Sequence, residues 1–456
     1  MILAPKPSSR YELMDIGRGF AILGILWVNI LTFGLPYEAM VIPGIWGESN
    51  DANILIWNTI TVGMSGVMRG MISMLFGAAA VIMLHKAETG DTGFNGLDRY
   101  FRRLLWLVFF GVVHGYFLLW PHDILYVYGV LGLFIFPFRN LDTRKLALLG
   151  CAMLVSSAYL TSDNFSQIQE ANAVVEDSLS NKEIQRLREG DPMVEQYEAP
   201  GLGNNLTNPV ENDTGKLRTD REGSDIVAQE QKLDDEFQQL VDRISTDIEE
   251  RQQGYVSNFM SMASQTFYEQ SEEMLTNHLL DVGTFFLLGM ALFKSGFLTG
   301  LWSGNRYFTI AIIGYLLGIA FGLLSNFNYV DGTIMGALSN AVGDYLYDFR
   351  RLSLALGNFS LMALLMRFAG SSWIKTSLAA CGRMAMSLYI GQTVICNSIF
   401  LGFGLSLYGQ LEHFQIAGIA ALLTILQLII APVYLSWFRQ GPFEWLIRRL
   451  VQYNSK

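Results

Sequence analysis

Apolar residues run along most of this chain in long stretches, without the period-two alternation of half-buried strands. Windows of about 20 mostly apolar residues, enough to cross a hydrocarbon core, fall at 16–36, 66–85, 103–120, 122–138, 144–160, 279–298, 307–327, 352–369, 382–404 and 414–437. They predict an all-α polytopic transmembrane bundle of about ten spans. The stretch from Ile54 to Met68 is apolar too, but Asn58, Gly63 and Gly66 interrupt it. It reads as an interfacial or re-entrant piece leading into the second span, and it changes the count by one.

Residues 161–277 break the pattern and divide the chain into an N-terminal membrane part (1–160), this segment, and a C-terminal membrane part (278–456). The segment holds 25 Asp or Glu against 9 Lys or Arg, so the net charge of −10 is local and the membrane parts together are basic. Its first half, with "NPVENDTGKLRTDREGSD", reads as loop or disorder. The "NFS", "NLT" and "NDT" sequons there matter only in a eukaryotic secretory pathway. In the second half Phe237, Val241, Ile244 and Ile248 repeat at helical spacing, as do Val256, Phe259, Met260, Ala263 and Phe267. These predict amphipathic helices, the latter lying on the membrane surface. Either a solvated cap or a substrate-gating lid fits such a segment.

Basic residues fix the expected orientation, because cytoplasmic loops carry the excess of Lys and Arg. They collect before the first span and then in every second connection: Lys86 to Arg103, Arg139 to Lys145, Lys294 to Arg306, Arg367 to Arg383, and after the last span. Both termini are therefore expected in the cytoplasm, with 161–277 outside. Arg350 and Arg351 break the alternation. Glu12 and Asp15 in the basic region, with no A-x-A-like site after the apolar run, argue against a cleavable signal.

Composition agrees: 51% of residues are hydrophobic and 16% charged, against about 25% charged in ordinary soluble proteins. The acidic balance and the lack of a basic domain argue against nucleic acid as a partner. The expected partners are the lipid bilayer and a small-molecule or lipid substrate; oligomeric state is not legible. Cys151, Cys381 and Cys396 have no metal or disulfide spacing and read as buried thiols.

Polar groups in this apolar setting mark the candidate site. If the third span starts near Arg103, His114 lies roughly 16 Å in at about 1.5 Å per residue, near mid-membrane. Ionisable groups are costly there and face the bundle interior or a cavity. His114 is either a catalytic or substrate-coordinating residue, or a neutral imidazole bonded to Asn29 or Gln392. "WPHD" forms a turn at the outer surface, where His122 costs little and Asp123 is within reach of Arg69. Asn29, Asn326, Asn358, Ser387 and Gln392 suit interhelical hydrogen bonds. Arg18, Arg102, Arg103 and Arg383, near the inner ends, suit snorkelling or the binding of phosphates. No phosphate loop, zinc motif or nucleophile elbow occurs, and no metal is expected.

"YELMDIGRGFAILGILWVNI", "RRLLWLVFFGVVHGYFLLWPHDILYVYGVLGLF", "LLGMALFKSGFL", "GRMAMSLYIGQTVICNSIF" and "WFRQGPFEWLIRRL" resemble, in order, the signature blocks of the bacterial DUF418 (YeiB-like) membrane family. The closing "GP.EW..R", at Gly441, Pro442, Glu444, Trp445 and Arg448, is the most specific. His122 stands where the family pattern often has glycine. The resemblance implies a bacterial inner-membrane protein. DUF418 is similar in turn to multispanning acyltransferases that share an N-terminal "D..RG.A.LGI", here Asp15 to Ile25. That likeness implies transfer from a cytoplasmic acyl donor to an extracytoplasmic or lipid acceptor. His114 would be catalytic, Asp123, Asn29 and Gln392 would lie around it or the acceptor, and Arg18, Arg102, Arg103 and Arg383 would bind the donor. Acyl-CoA would be a cosubstrate, with no bound cofactor. The alternative is a transporter or flippase for a small solute or lipid.

Overall fold

The computed structural model describes residues 11–37, 40, 51–89, 93–160, 239, 241–326, 334–368 and 372–452; among them there is no strand. The helices are α1 (Glu12–Gly34), α2 (Asp51–Gly63), α3 (Val67–Thr89), α4 (Gly93–Val112), α5 (Ile124–Ile135), α6 (143–160), α7 (241–251), α8 (Tyr255–Gln270), α9 (Leu279–Lys294), α10 (Gly304–Asn326), α11 (Ile334–Phe368), α12 (Trp373–Arg383), α13 (Ala385–Phe400), α14 (His413–Trp437) and α15 (Pro442–Gln452). Each apolar window of the sequence falls on one of them. The chain is thus an all-α protein of membrane type. By length and composition, five helical runs among the described residues are fit to cross a membrane: Glu12–Gly34, Ala52–Ala87, Tyr255–Lys294, Gly304–Leu324 and His413–Trp437. Ile124–Asn140 and Ala385–Phe400 are apolar but shorter.

The distribution of side chains is that of a protein surrounded by hydrocarbon. α14 turns Leu422, Ile425, Ile429, Ile430 and Val433 outward, and α10 turns out Phe308, Ile312, Leu316 and Leu323. Exposed apolar stripes of this extent mark contact with lipid or a partner. Inside, α1 is the hub. Its two ends differ in neighbours: Asp15 and Gly19 meet α12, while Gly34 meets Phe400 and Ile416.

Small residues let these helices touch at the backbone, the usual device where lipid offers no hydrophobic drive between helices. A Cβ on Gly19 would fall 1.9 Å from the Leu378 carbonyl oxygen, and one on Gly382 would fall 1.8 Å from that of Asp15. Gly19 of "GRGFAILG" and Gly382 of "GRMAM" are therefore packing positions of the α1–α12 crossing, while Gly17 and Gly24 make room for Phe359 and Met68. Gly77 and Gly289 do the same for α3 against α9.

The stretch from Ile54 to Met68 leads into α3 as expected, mainly as the helix α2, through a turn in which Gly66 takes φ +71. Two expectations are corrected. Arg350 and Arg351 are not loop signals. They lie within the 35-residue α11 and are buried, which removes the break in the basic alternation. Arg351 bonds Asp281 at 2.6 Å and Asp348 at 2.7 Å, and Arg350 donates to the carbonyls of Thr61, Val62 and Ser65. Cys151 is exposed on α6, whereas Cys381 and Cys396 are buried as expected. The two amphipathic helices of the acidic segment form, as α7 and α8, and pack on the bundle. The loop-like first half of that segment and its three sequons lie outside the described residues.

Candidate functional site

The site is made where α4 ends. The helix widens into a π-helical turn, Val113–Phe117, a distortion that needs a compensating reason and is frequent at functional sites. The chain then reverses through Leu119, at φ +56, and "WPHD" leads into α5. Asp123 is the N-cap of α5: its Oδ2 accepts from the Tyr126 N–H at 2.7 Å. That cap aims the other carboxylate oxygen back at the π turn, 2.6 Å from His114 Nδ1.

His114 is 1% exposed and Asp123 5%. The second ring nitrogen, Nε2, lies 2.9 Å from Thr393 Oγ1 on α13. With a neutral imidazole beside an ionised carboxylate, Nδ1 carries the proton and Nε2 the lone pair, to which the Thr393 hydroxyl, also 3.5 Å from the Tyr389 carbonyl, donates. Tyr389, one turn earlier on α13, sets its ring 4.9 Å from the imidazole, tilted by 60° to it. Its hydroxyl accepts from Trp120 Nε1 at 3.0 Å and from the Ile124 N–H at 3.3 Å. One turn later, Asn397 donates to the Leu118 carbonyl at 2.6 Å. A single polar stripe of α13, Tyr389, Thr393 and Asn397, thus fastens the whole turn. Buried charge-assisted bonds of this kind stay strong because no water competes.

The acidic segment closes the site from one side. α8 places Thr266 Oγ1 3.3 Å from the Gly115 carbonyl and Gln270 Nε2 3.4 Å from that of Gly111. Tyr255 donates to Phe117 O at 2.7 Å. His122, read as a free turn residue, remains partly exposed but meets Glu269 of α8 at 2.9 Å.

The sequence-derived residues divide. His114 and Asp123 come together. The pairing of Asp123 with Arg69 does not occur; Arg69 instead meets Asp281 at 2.6 Å, because the cap of α5 turns the Asp123 carboxylate toward His114. Gln392 points away: its Nε2 donates to the Ile22 carbonyl and to Gln427 Oε1. Asn29 is half-buried on α1 and does not reach His114, both of whose ring nitrogens are taken. Neither Asn29 nor Gln392 supplies the bond expected of it. Thr393 was not singled out, because one hydroxyl in an apolar span carries no signal by itself. The i, i+4, i+8 spacing of Tyr389, Thr393 and Asn397 was the available signal.

At the other end of α1 the arginines gather in part. Arg18 bonds Asp15 at 3.0 Å and the Gly382 carbonyl at 3.4 Å. Arg383 lies in electrostatic range of Asp15, and Arg103 in range of Arg18, Arg448 and Glu444. Arg102 pairs with Asp98 one turn back. Glu444 of "GP.EW..R" is a cap for α13: it accepts from the Met386 and Ser387 N–H groups at 2.8 and 3.1 Å, and from the Ser387 hydroxyl. Among the described residues, no three His, Cys, Asp or Glu side chains are grouped closely enough to hold a metal ion.

Fold and site together define a helical protein of membrane type with a buried Asp–His pair at its centre. Residues 292–454 match the family described as "Protein of unknown function (DUF418)". Over 472 aligned residues, 97% of this chain and 94% of the relative, the chain is 26% identical to "Uncharacterized protein YxaH" of Bacillus subtilis (strain 168). It is 24% identical over 442 residues, 96% and 95% of the two chains, to "Uncharacterized protein YeiB" of Escherichia coli (strain K12). A shorter match, 33% over 146 residues, is to "Uncharacterized 39.9 kDa protein in amylase 3'region" of Bacillus acidopullulyticus; it covers 32% of this chain and 39% of that one. The family match covers the C-terminal part of the chain, and over nearly its whole length the chain is similar to YxaH and YeiB. None of these names carries an activity, and no solved structure matches the chain.

Proposed function

We propose that the chain is an acyltransferase of the bacterial cytoplasmic membrane, with both termini inside, that passes an acyl group from a cytoplasmic acyl-CoA to an extracytoplasmic or lipid acceptor. The observation that carries this reading is the buried line Asp123–His114–Thr393, with a carboxylate on one imidazole nitrogen and a hydroxyl on the other. It is the order carboxylate, imidazole, hydroxyl that activates an oxygen nucleophile. In the resting protein the Thr393 hydroxyl occupies the place an acceptor hydroxyl takes in the reaction. His114 Nε2 removes the acceptor proton, the oxygen attacks the thioester carbonyl, and the C–S bond breaks. The imidazolium returns its proton to the departing thiolate. Asp123 holds the tautomer and balances the transient positive charge.

Arg18, Arg103 and Arg383, joined by Arg448, supply a concentration of positive charge suited to the phosphates of the donor. Arg102, held by Asp98, adds charge but has less freedom to bind. Asn29 and Gln392 have no part in this mechanism.

The test is release of free CoA by purified protein in liposomes, with short- and long-chain acyl-CoA and a panel of envelope sugars and lipids. His114→Ala should lower the rate by at least ~100-fold, the lower end of a general acid/base contribution, with insertion unchanged. Full transfer by that variant would refute the mechanism. A second reading, transport of a small solute or lipid, is favoured by the chain Arg69–Asp281–Arg351–Asp348, buried except for the half-buried Arg69, since charges inside a bundle commonly line transport paths. It predicts uptake that survives His114→Ala and is lost in Asp281→Asn.

A further inference from the structure

A cavity of about 310 Å³ opens at the end of α1 away from the arginine cluster. It lies between the helical acidic segment and the "WPHD" turn, and no sequence motif announced it. Its wall is aromatic where Phe33 and Trp120 stack at 4.0 Å, with Tyr408 and Tyr37 contributing. Around these rings stand Asp247 and Arg251, paired at 3.1 Å, and the exposed Arg243.

One wall residue points to a ligand. Asn397 is 6% exposed; its amide nitrogen is spent on Leu118, but its Oδ1 is buried with no hydrogen-bond partner. A buried acceptor left unpaired costs stability, and native proteins rarely leave one without water, ion or ligand. A hydroxyl donor satisfies it. The volume lies at the low end of the ~300–1,000 Å³ typical of ligand pockets, and the lining mixes apolar and aromatic side chains with charged and amide groups. Flat aromatic faces that cover C–H groups, beside carboxylate, amide and guanidinium groups that bond vicinal hydroxyls, fit a sugar ring.

We infer that this cavity binds a carbohydrate ring, with Asn397 Oδ1 accepting one of its hydroxyls and the exposed ring of Tyr37 covering a face. As an acceptor site it rests on the acyl-transfer reading; as a binding site it does not. The geometry links the two. Asn397 is one helical turn from Thr393, about 6 Å along α13, and Trp120 donates to Tyr389, whose ring lies against His114. A sugar held here presents its hydroxyls to the wall behind which the imidazole lies.

The full chain in lipid nanodiscs, applied to a printed array of bacterial mono- and oligosaccharides, should retain a subset of them. Free sugar should compete, and Asn397→Ala should weaken binding about 10-fold. If that variant fails to fold without its bond to Leu118, Arg243→Ala at the exposed rim serves instead and should weaken binding several-fold. No retained glycan, or retention unchanged by both cavity variants, overturns the inference. Glycan binding without any acyl transfer upholds the site and removes the transfer reading. Transfer to a non-sugar acceptor with no glycan retained does the reverse.

Discussion

Asp123 is the residue whose removal separates the two jobs the structure gives it. One oxygen caps α5 through the Tyr126 N–H at 2.7 Å, and the other holds His114 Nδ1 at 2.6 Å. Asparagine caps about as well as aspartate, so Asp123→Asn keeps the helix start. Its amide oxygen is then committed to Tyr126 and its NH2 faces Nδ1. The imidazole must accept there, which moves the ring proton to Nε2 and leaves no lone pair toward Thr393. The stability loss is that of a charge-assisted bond exchanged for a neutral one, about 1–2 kcal/mol, since hydrogen bonds to charged groups contribute about 1.5–3 and neutral ones about 0.5–1.5. The rate loss is far larger, on the order of 10⁴-fold by analogy with the same substitution in Ser-His-Asp enzymes. Asp123→Ala adds loss of the cap, about 1 kcal/mol, and leaves a buried imidazole N–H unpaired, about 1–3 kcal/mol. Melting midpoints in detergent should therefore fall in the order wild type, Asp123→Asn, Asp123→Ala, while both variants lose transfer alike. Asp123→Asn protein that transfers at the wild-type rate would show that the carboxylate does not set the tautomer. An Asn variant no more stable than the Ala variant would refute its role as the cap.

Two further tests bear on fold and orientation. Gly19→Ala should abolish stable insertion, because its Cβ would meet backbone at 1.9 Å and α1 would have to leave α12; Gly418→Ala, with nothing within 4 Å, should be neutral or slightly stabilising. Equal yields of the two by detergent gel filtration would contradict the crossing described. In a Cys151→Ser background, Ser264→Cys and Lys145→Cys, both exposed positions, should be labelled by an impermeant thiol reagent from opposite faces of the membrane, Ser264→Cys from outside. Labelling from one face would overturn the proposed orientation.

The sequence by itself determined the class of fold and the one residue around which the site is built. Apolar runs of this length leave a chain no option but helices, since an unpaired peptide group in hydrocarbon costs several kcal/mol. A histidine deep in such a run announces itself because burying it is expensive. The same reasoning found the helices α7 and α8 from their 3.6-residue spacing and flagged Arg350 and Arg351 as anomalous, though not why. Partners were another matter. Gln392 and Thr393 are adjacent, yet about 100° of helical rotation sends one to Gln427 and the other to His114. Asp123 had two basic groups at plausible depth, and the rotamer set by its cap on α5 chose His114 over Arg69. Arg351 found Asp281, far away in the chain, only because α9 and α11 both pack against α3. Depth and helical character follow from solvation of each segment alone. Azimuth, and hence which polar groups meet, depends on how neighbouring helices rotate and approach, and glycines such as Gly19 and Gly382 decide that only once both helices are present.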